Sequence, residues 1–349
     1  MKSALVRGMV CGAALAGLWA VDAGAQSVDL KIHNFLGPKS TQQAKLLAPW
    51  ARAVTKDSKG RIKARVYPNM QLGGRPPQLY DQIKDGVVEA GWTLPGYSGG
   101  RFPLTSVFEL PFMVTTAEAT TQAFQEFGEK YLQNTEFKDT HILLFHTAAR
   151  FLFHNKSGPI SSAASLKGLK IRATNREMGA VLSALGATPV FMPIPAVPQA
   201  LSKGVVEGAV LPWEVAVPIK VHELVTYHSE IRGQNGFIAA AFIFAMNSKF
   251  YNGLPADLKK VVDSNSGKAF AKRIGIVYDG VEVTNREVAQ KRGNKFNVIP
   301  EAEVAKMKAA AAPVIGQWVA DVSKKGIDGK AMLAEARRLI DKYTRMGMK

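Results

Sequence analysis

Between Thr41 and Lys59 the apolar residues Ala44, Leu47, Ala48, Ala51 and Val54 return every three or four positions, and Gly60 follows them. That spacing lays one apolar stripe along a helix, and the glycine ends it. Directly afterwards Arg61-Ile62-Lys63-Ala64-Arg65-Val66 alternates polar with apolar, the two-residue period of a strand buried on one face. The exchange recurs. A helix is expected over 77–84, a strand over 87–93, and a helix opening at Thr115 with Glu118 three residues later as a capping box. Strands are expected at 142–145, 170–173, 206–210 and 239–245, with helical stretches such as 177–185 between them. Strands alternating with helices predict an α/β architecture with largely parallel sheets. The tail reads differently: one long helical pattern from 258 to about 291, then helices over 301–322 and 328–343. No repeat or low-complexity linker divides the chain, so two domains would require it to cross between them more than once.

Composition narrows the class. The 349 residues are 47% hydrophobic, enough for one large or two medium cores. Lys2 and Arg7 precede an uncharged, mostly apolar run over 8–21, and Ala23-Gly24-Ala25 follows. A positive start, an apolar run shorter than the ~20 residues a span needs, and a small-x-small site predict a secretory signal cleaved after Ala25. Cys11, the only cysteine, lies inside that run, too early to be a good lipid attachment point. The mature chain therefore has no thiol for a disulfide, a thiolate zinc site or a cysteine nucleophile. The formal charge is +17, from 45 basic and 28 acidic residues scattered without an arginine-rich block. Such a surface draws anions, whether nucleic acid, acidic lipid headgroups or small carboxylates, and its even spread in an exported chain reads as a mildly steering field and argues against nucleic acid.

Candidate chemistry is sparse. Gly96-Tyr97-Ser98-Gly99-Gly100 fits G-x-S-x-G and would make Ser98 a hydrolase nucleophile, but Arg101-Phe102-Pro103-Leu104 is not the helix start that this elbow requires. The six histidines show no H-x-x-x-H or H-E-x-x-H spacing, so no metal is expected and they read as surface or locally hydrogen-bonded groups. His33 is the exception, sitting at a strand exit where it is expected to line a cleft. No Walker lysine loop and no G-x-G-x-x-G after a strand is present, so no nucleotide cofactor is expected. Two arginines stand out: Arg150, opening the apolar Phe151-Leu152-Phe153 stretch, and Arg172, at the end of Leu169-Lys170-Ile171-Arg172. By pattern alone each reads as a solvated strand residue.

Ser165 to Ala173 reads S-L-K-G-L-K-I-R-A, Gly186 to Val190 reads G-A-T-P-V, and Leu201 to Ala209 reads L-S-K-G-V-V-E-G-A. With His33-Asn34-Phe35, Gln71-Leu72-Gly73-Gly74 and Glu109-Leu110-Pro111-Phe112 in the same order, the chain resembles the solute-binding proteins of tripartite ATP-independent periplasmic (TRAP) transporters, the DctP family, over essentially its whole mature length. The resemblance implies an α/β, two-lobed periplasmic-binding-protein-like fold with an interlobe cleft, crossing strands and a long bracing helix. It implies lobe one from 26–149 and 237–277, and lobe two from 150–236 and 278–349. It also implies a periplasmic monomer that is not an enzyme, captures a small organic carboxylate and delivers it to membrane permease subunits.

In that family an arginine of the L-K-G-L-K-x-R segment holds the ligand carboxylate. Arg172 occupies its place, and Arg150 matches a second arginine that many members carry. A guanidinium presents parallel N–H donors that suit a carboxylate, and closure removes competing water. Some members place a cation-supporting acid after the glycine of V-V-E-G; here Ala209-Val210-Leu211-Pro212-Trp213 is apolar, which argues against a cation-bridged ligand. Trp92, Phe151, Trp213 and Phe237 are expected to form an aromatic wall suited to a ring or aliphatic chain, with Asn34 and Tyr97 bonding a distal polar group. The alternatives are an exported serine hydrolase using Ser98, or a ligand-sensing subunit for a membrane receptor.

Overall fold

The structure, a computed structural model, describes residues 27–348. The expected signal peptide, with Cys11 and the cleavage after Ala25, lies outside the described residues. Eleven strands follow one another: β1 (Val28–Asn34), β2 (Ile62–Tyr67), β3 (Ala90–Thr93), β4 (Thr140–Thr147), β5 (Leu152–Asn155), β6 (Lys170–Ala173), β7 (Thr188–Phe191), β8 (Gly208–Leu211), β9 (Tyr227–Glu230), β10 (Ala241–Asn247) and β11 (Lys295–Val298). They form a five-stranded sheet, β2-β1-β3-β10-β4, and a six-stranded sheet, β11-β9-β5-β8-β6-β7. Each sheet is the centre of one α/β lobe.

The sheets are mixed, where the alternating pattern predicts largely parallel ones. β10 runs antiparallel to β3 and β4, and β5 runs antiparallel to β8 and β9. The crossings explain this. The chain leaves the first sheet through the edge strand β4 and returns through β10 beside it, entering at the end of the strands where it left, so the two must point opposite ways. The same holds for β5, which enters the second sheet, and β9, which leaves it.

Local signals account for most element ends. The helical stretch over Gln42–Leu47 and Ala48–Asp57 buries Leu46, Leu47, Trp50 and Val54, and it stops where Lys59 and Gly60 adopt positive φ. Helix Ala117–Phe127 is capped by Thr116, whose hydroxyl accepts from the Ala119 amide at 3.0 Å. The expected cap, Thr115, instead shares a 2.7 Å hydroxyl bond with Thr344. The single long helix expected from 258 to 291 is two, Ala256–Ser264 and Gly267–Lys291, because the chain turns at Gly267 with φ +71°, a conformation only glycine enters without strain.

Helix Gly267–Lys291 is the strut between the lobes. It packs on Ala117–Phe127 and β4 of the first lobe and on the short helix Trp213–Ala216 of the second. Gly275 permits the first contact, since a Cβ there would lie 2.3 Å from the Cα of Glu118. Two acids one turn apart, near its middle, then fasten the strut to both lobes. The Asp279 carboxylate accepts from the Ala117 and Glu118 amides at 2.8 and 2.9 Å, and Glu282 accepts from the Trp213 and Glu214 amides at 3.0 and 2.5 Å. Each fills the unsatisfied N–H groups of a helix start. Of the last helices, Glu301–Ser323 packs on Arg176–Ala184 beside the second sheet, and Gly329–Gly347 packs on Ala117–Phe127 beside the first.

Candidate functional site

Arg172 sits near the end of β6, paired in parallel register with β7 (Arg172↔Val190) and β8 (Arg172↔Ala209), so its backbone is held from both sides. Lys170 shares that face of the strand but lies exposed at its start, whereas Arg172, two residues further in, has 0% exposure. Nε and Nη2 donate to the Met192 carbonyl at 3.1 and 3.0 Å, and Nη1 donates to the Thr174 hydroxyl at 2.6 Å. These bonds do not exhaust a guanidinium's donors. Among the described residues Arg172 belongs to no ion pair; burial pushes its pKa down, and the neighbouring Tyr97 hydroxyl offsets part of that. A buried charge without a counter-ion is strongly unfavourable until an anion joins it.

The gap beside it is walled by both lobes. Phe35, Leu36, Gln42, Trp92, Leu94 and Phe242 come from the first, and Phe151, Thr174, Ile194, Pro212, Glu214 and Val215 from the second. The empty space between them amounts to ≈ 290 Å³. Arg172 lies directly behind Thr174, whose hydroxyl it holds. The aromatic side is layered: Trp92 stacks on Phe242 at 4.7 Å and 11°, and Phe35 leans on Trp92 at 4.9 Å. Trp92 keeps its orientation because Nε1 donates to His146 Nε2 at 2.7 Å. That bond requires a neutral ring, and burial holds the His146 pKa at about 3.

Two clasps join the lobes across the gap. At one, the Tyr97 hydroxyl from the first lobe accepts from the Ile194 amide of the second at 3.0 Å. At the other, the Thr41 hydroxyl donates to the Glu214 carbonyl at 2.9 Å, and Gln42 Nε2 donates to the Glu214 carboxyl oxygens at 3.1 and 3.3 Å. Burial pushes the Glu214 pKa up to about 8, so this carboxyl is neutral at pH 7. The sequence gives little hint of it, because one acid after an apolar run, Pro212-Trp213-Glu214, reads as a surface helix start. Only the Glu282 cap, 68 residues away in the chain, turns that helix start inward.

Of the residues singled out from sequence, Arg172, Tyr97, Trp92 and Phe151 come together at this gap. Five lie elsewhere. Arg150 stands in a separate depression with Trp213 and Phe237. Its Nε, Nη1 and Nη2 donate to the carbonyls of Thr115, Gly233 and Gln234 at 2.5, 2.7 and 2.8 Å, so all three nitrogens brace the crossing segments. Trp213 packs edge-on against His154 at 4.9 Å, and Phe237 packs on Phe153 at 4.8 Å. His33 does not line the cleft: its Nδ1 bonds Gln82 Oε1 at 3.0 Å and its Nε2 accepts from the Leu72 amide at 3.2 Å. Asn34 is spent on Gln43 and the Leu36 amide. Phe35, Gln42, Thr174, Ile194, Glu214 and Phe242 are the wall residues that sequence reading missed.

Two other features bear on the choice of site. A larger depression, with ≈ 1130 Å³ of empty space against ≈ 290 Å³ in the gap, lies beyond Gly96, against helix Glu301–Ser323. Its acids, the buried Glu109 and the half-buried Glu177, are both pushed up by burial, and its Arg176 is already paired with Asp321, so it offers an anion no buried, unneutralised cation. Ser98 ends a short 3-10 turn with its hydroxyl 3.4 Å from the Pro77 carbonyl, and Gly99 and Gly100 follow at positive φ in place of a helix start.

Two α/β lobes, joined by crossing strands and a strut helix and closed over a gap that both of them wall, define a two-lobed solute-binding protein. Comparison with known proteins narrows the class. The profile of bacterial extracellular solute-binding protein, family 7 (DctP), matches residues 33–321, and the chain belongs to that family. It is similar to a TRAP solute-binding protein from Rhodoferax ferrireducens T118, solved with copurified benzoate: 45% identical, covering 92% of this chain and 100% of that one, TM-score 0.89. It is also similar to a marine metagenome TRAP solute-binding protein specific for aromatic acid ligands, solved with 3-hydroxybenzoate: 42% identical, 91% and 99% covered, TM-score 0.89. The C4-dicarboxylate-binding periplasmic protein DctP of Rhodobacter capsulatus is 26% identical over 96% of this chain and 100% of its own. The family consists of solute-binding proteins, and among the described residues no helix is long and apolar enough to cross a membrane.

Proposed function

We propose that this chain captures an aromatic monocarboxylate in the gap between its lobes, in the periplasm, and delivers it to the membrane subunits of a TRAP transporter. One observation carries the reading: Arg172 is a fully buried guanidinium with no counter-ion, placed behind Thr174 at the edge of an aromatic-walled cavity. A ligand carboxylate supplies the missing charge in a water-poor site, where a charge-assisted bond is strong. The ring packs between the Phe35-Trp92-Phe242 layer and Phe151, where flat apolar area is buried on both sides. The ligands named for the two relatives above 40% identity are of this kind.

Tyr97 supports the guanidinium and latches the lobes, so closure and anion binding strengthen each other. The lobes divide at 149/150 and 236/237, where the strands cross, and one chain forms both walls, so the site needs no second copy. Arg150 serves the crossing, not the ligand. A thermal-shift screen with benzoate, C4-dicarboxylates and sugar acids tests the reading. Benzoate at a hundred times its Kd stabilises the protein by about 2.7 kcal/mol and raises the melting point. A rise with dicarboxylates or sugar acids and none with any aromatic acid overturns it.

A further inference from the structure

The wall of the cavity that carries the Glu214 clasp holds polar atoms that nothing among the described residues satisfies. Glu214 is 1% exposed and Gln42 likewise, and both line the gap. The one side chain that bonds the Glu214 carboxyl is Gln42, through Nε2, which is a donor. Gln42 Oε1 is buried without a partner. The Tyr278 hydroxyl, on the strut helix behind, stands near Gln42 but also makes no hydrogen bond. A neutral carboxylic acid has an O–H to donate as well as lone pairs to accept. With Gln42 Nε2 already spent on the lone pairs, that O–H has no acceptor among the described residues, and Gln42 Oε1 has no donor among them. Buried groups in this condition cost free energy until something bonds them.

Ligand chemistry follows from what completes the pair. A hydroxyl both accepts and donates, so one hydroxyl takes the Glu214 O–H and gives its own hydrogen to Gln42 Oε1. A carbonyl completes only the first bond, an ammonium only the second, and a methyl neither. A second carboxylate would bring a charge to an apolar wall that offers no cation. The titratable groups beside Glu214 agree: Tyr278 and Glu282 both belong to the strut helix, and neither is cationic. Burial keeps Glu282 protonated well above the usual carboxylate range, with Glu214 beside it adding to the effect.

We infer that Glu214 and Gln42 form a hydroxyl-reading subsite, and that the preferred ligand is an aromatic monocarboxylate bearing a hydroxyl that points away from its carboxylate toward this pair. The inference rests on the proposed function above and deepens it, giving the cavity two polar poles: an anion pole at Arg172 and a neutral donor-acceptor pole at Glu214 and Gln42.

Calorimetric titration of the purified protein with benzoate, the three hydroxybenzoates and the three methylbenzoates tests it. One hydroxy isomer binds at least about tenfold more tightly than benzoate, the worth of one to two net hydrogen bonds, and its methyl counterpart gains nothing. In Gln42→Leu and in Glu214→Leu the ratio of hydroxy isomer to benzoate collapses to within about twofold, while Glu214→Gln, which keeps a neutral donor and acceptor, retains most of it. The ratio compares two ligands in one variant, so a loss of closure common to both cancels, and Gln42→Leu decides the matter if Glu214→Leu does not fold. Equal affinity of the wild type for benzoate and all hydroxybenzoates overturns the subsite alone, as does a ratio that survives Gln42→Leu. Binding of none of these acids overturns the aromatic reading and the subsite with it.

Discussion

Arg172 and Arg150 are both largely withdrawn from water, both sit where the lobes meet, and by sequence pattern they are indistinguishable. Their surroundings differ in one respect. Arg150 lies on the crossing seam, where the backbone turns away from both sheets and leaves carbonyls without ladder partners; its three nitrogens take up three of them. Arg172 lies within a sheet whose carbonyls are already paired, and it meets only Met192, Thr174 and Tyr97. Each makes three hydrogen bonds, but Arg150 is only half-buried, so water reaches its remaining donors, whereas Arg172 is fully buried and its remaining donors are sealed from water. A guanidinium thus marks a ligand site when its spare donors are closed off from both water and carboxylate.

The largest effect that would break this contrast is at Arg172. Truncation to Ala removes the counter-charge for a buried carboxylate and is expected to weaken aromatic-acid binding by about 3–5 kcal/mol, read by calorimetry, with Arg172→Lys recovering only part because an ammonium lacks the paired donors. Unchanged affinity would end the assignment. At Arg150 the expected sign moves to stability: Arg150→Met strands three carbonyls and costs about 2–3 kcal/mol of unfolding free energy by urea denaturation, with a smaller change in affinity. An affinity loss rivalling that of Arg172→Ala would return Arg150 to the ligand.

The next effect comes from pH. Glu214 titrates near 4.5 when unfolded and at about 8 when folded, so between those values the folded state holds the extra proton and stability falls as pH rises. His146 has the opposite sign: its pKa of about 3 in the fold against 6.5 unfolded removes stability as pH drops from 6.5 toward 3. Only the first of these two acts between pH 6.5 and 8, where Glu214 accounts for a loss of about 2 kcal/mol. Thermal or urea unfolding at the two pH values should show that share absent in Glu214→Gln; an identical loss in the variant would refute the buried neutral acid. The smallest change is Tyr97→Phe. It deletes one clasp, leaving the Ile194 amide without its acceptor and Arg172 without its hydroxyl neighbour, for about 1 kcal/mol in affinity, or roughly fivefold.

The elements themselves were readable. The helix over 41–59, the strand at Arg61 and the 170–173 strand were set by periodicity and by glycine stops, which act within a few residues. Cap and break positions were less so: Thr115 and Thr116 are chemically equal candidates, and only the approach of Asp279 and Thr344 separates them. At the candidate site, Arg172 was singled out through the L-K-G-L-K-I-R segment, Trp92 and Phe151 as aromatics at positions resembling cleft-lining ones, and Tyr97 as a hydrogen-bonding group. Glu214 and Gln42 were not found, since each looks like an ordinary polar helix residue until a partner from the other lobe buries it.

By itself the sequence determined the α/β alternation, the strand that carries Arg172, the long helical stretch ending near residue 291, and an anion-attracting charge balance, all properties of local pattern and composition. The folded structure alone decided that sheets expected to be parallel are mixed, that one arginine braces the seam while the other stays unneutralised, and that an acid after Trp213 faces inward as a neutral group. The physical reason is one of range. Periodicity and capping are settled by neighbours along the chain, whereas burial, counter-charge and protonation state depend on which distant segments exclude water together.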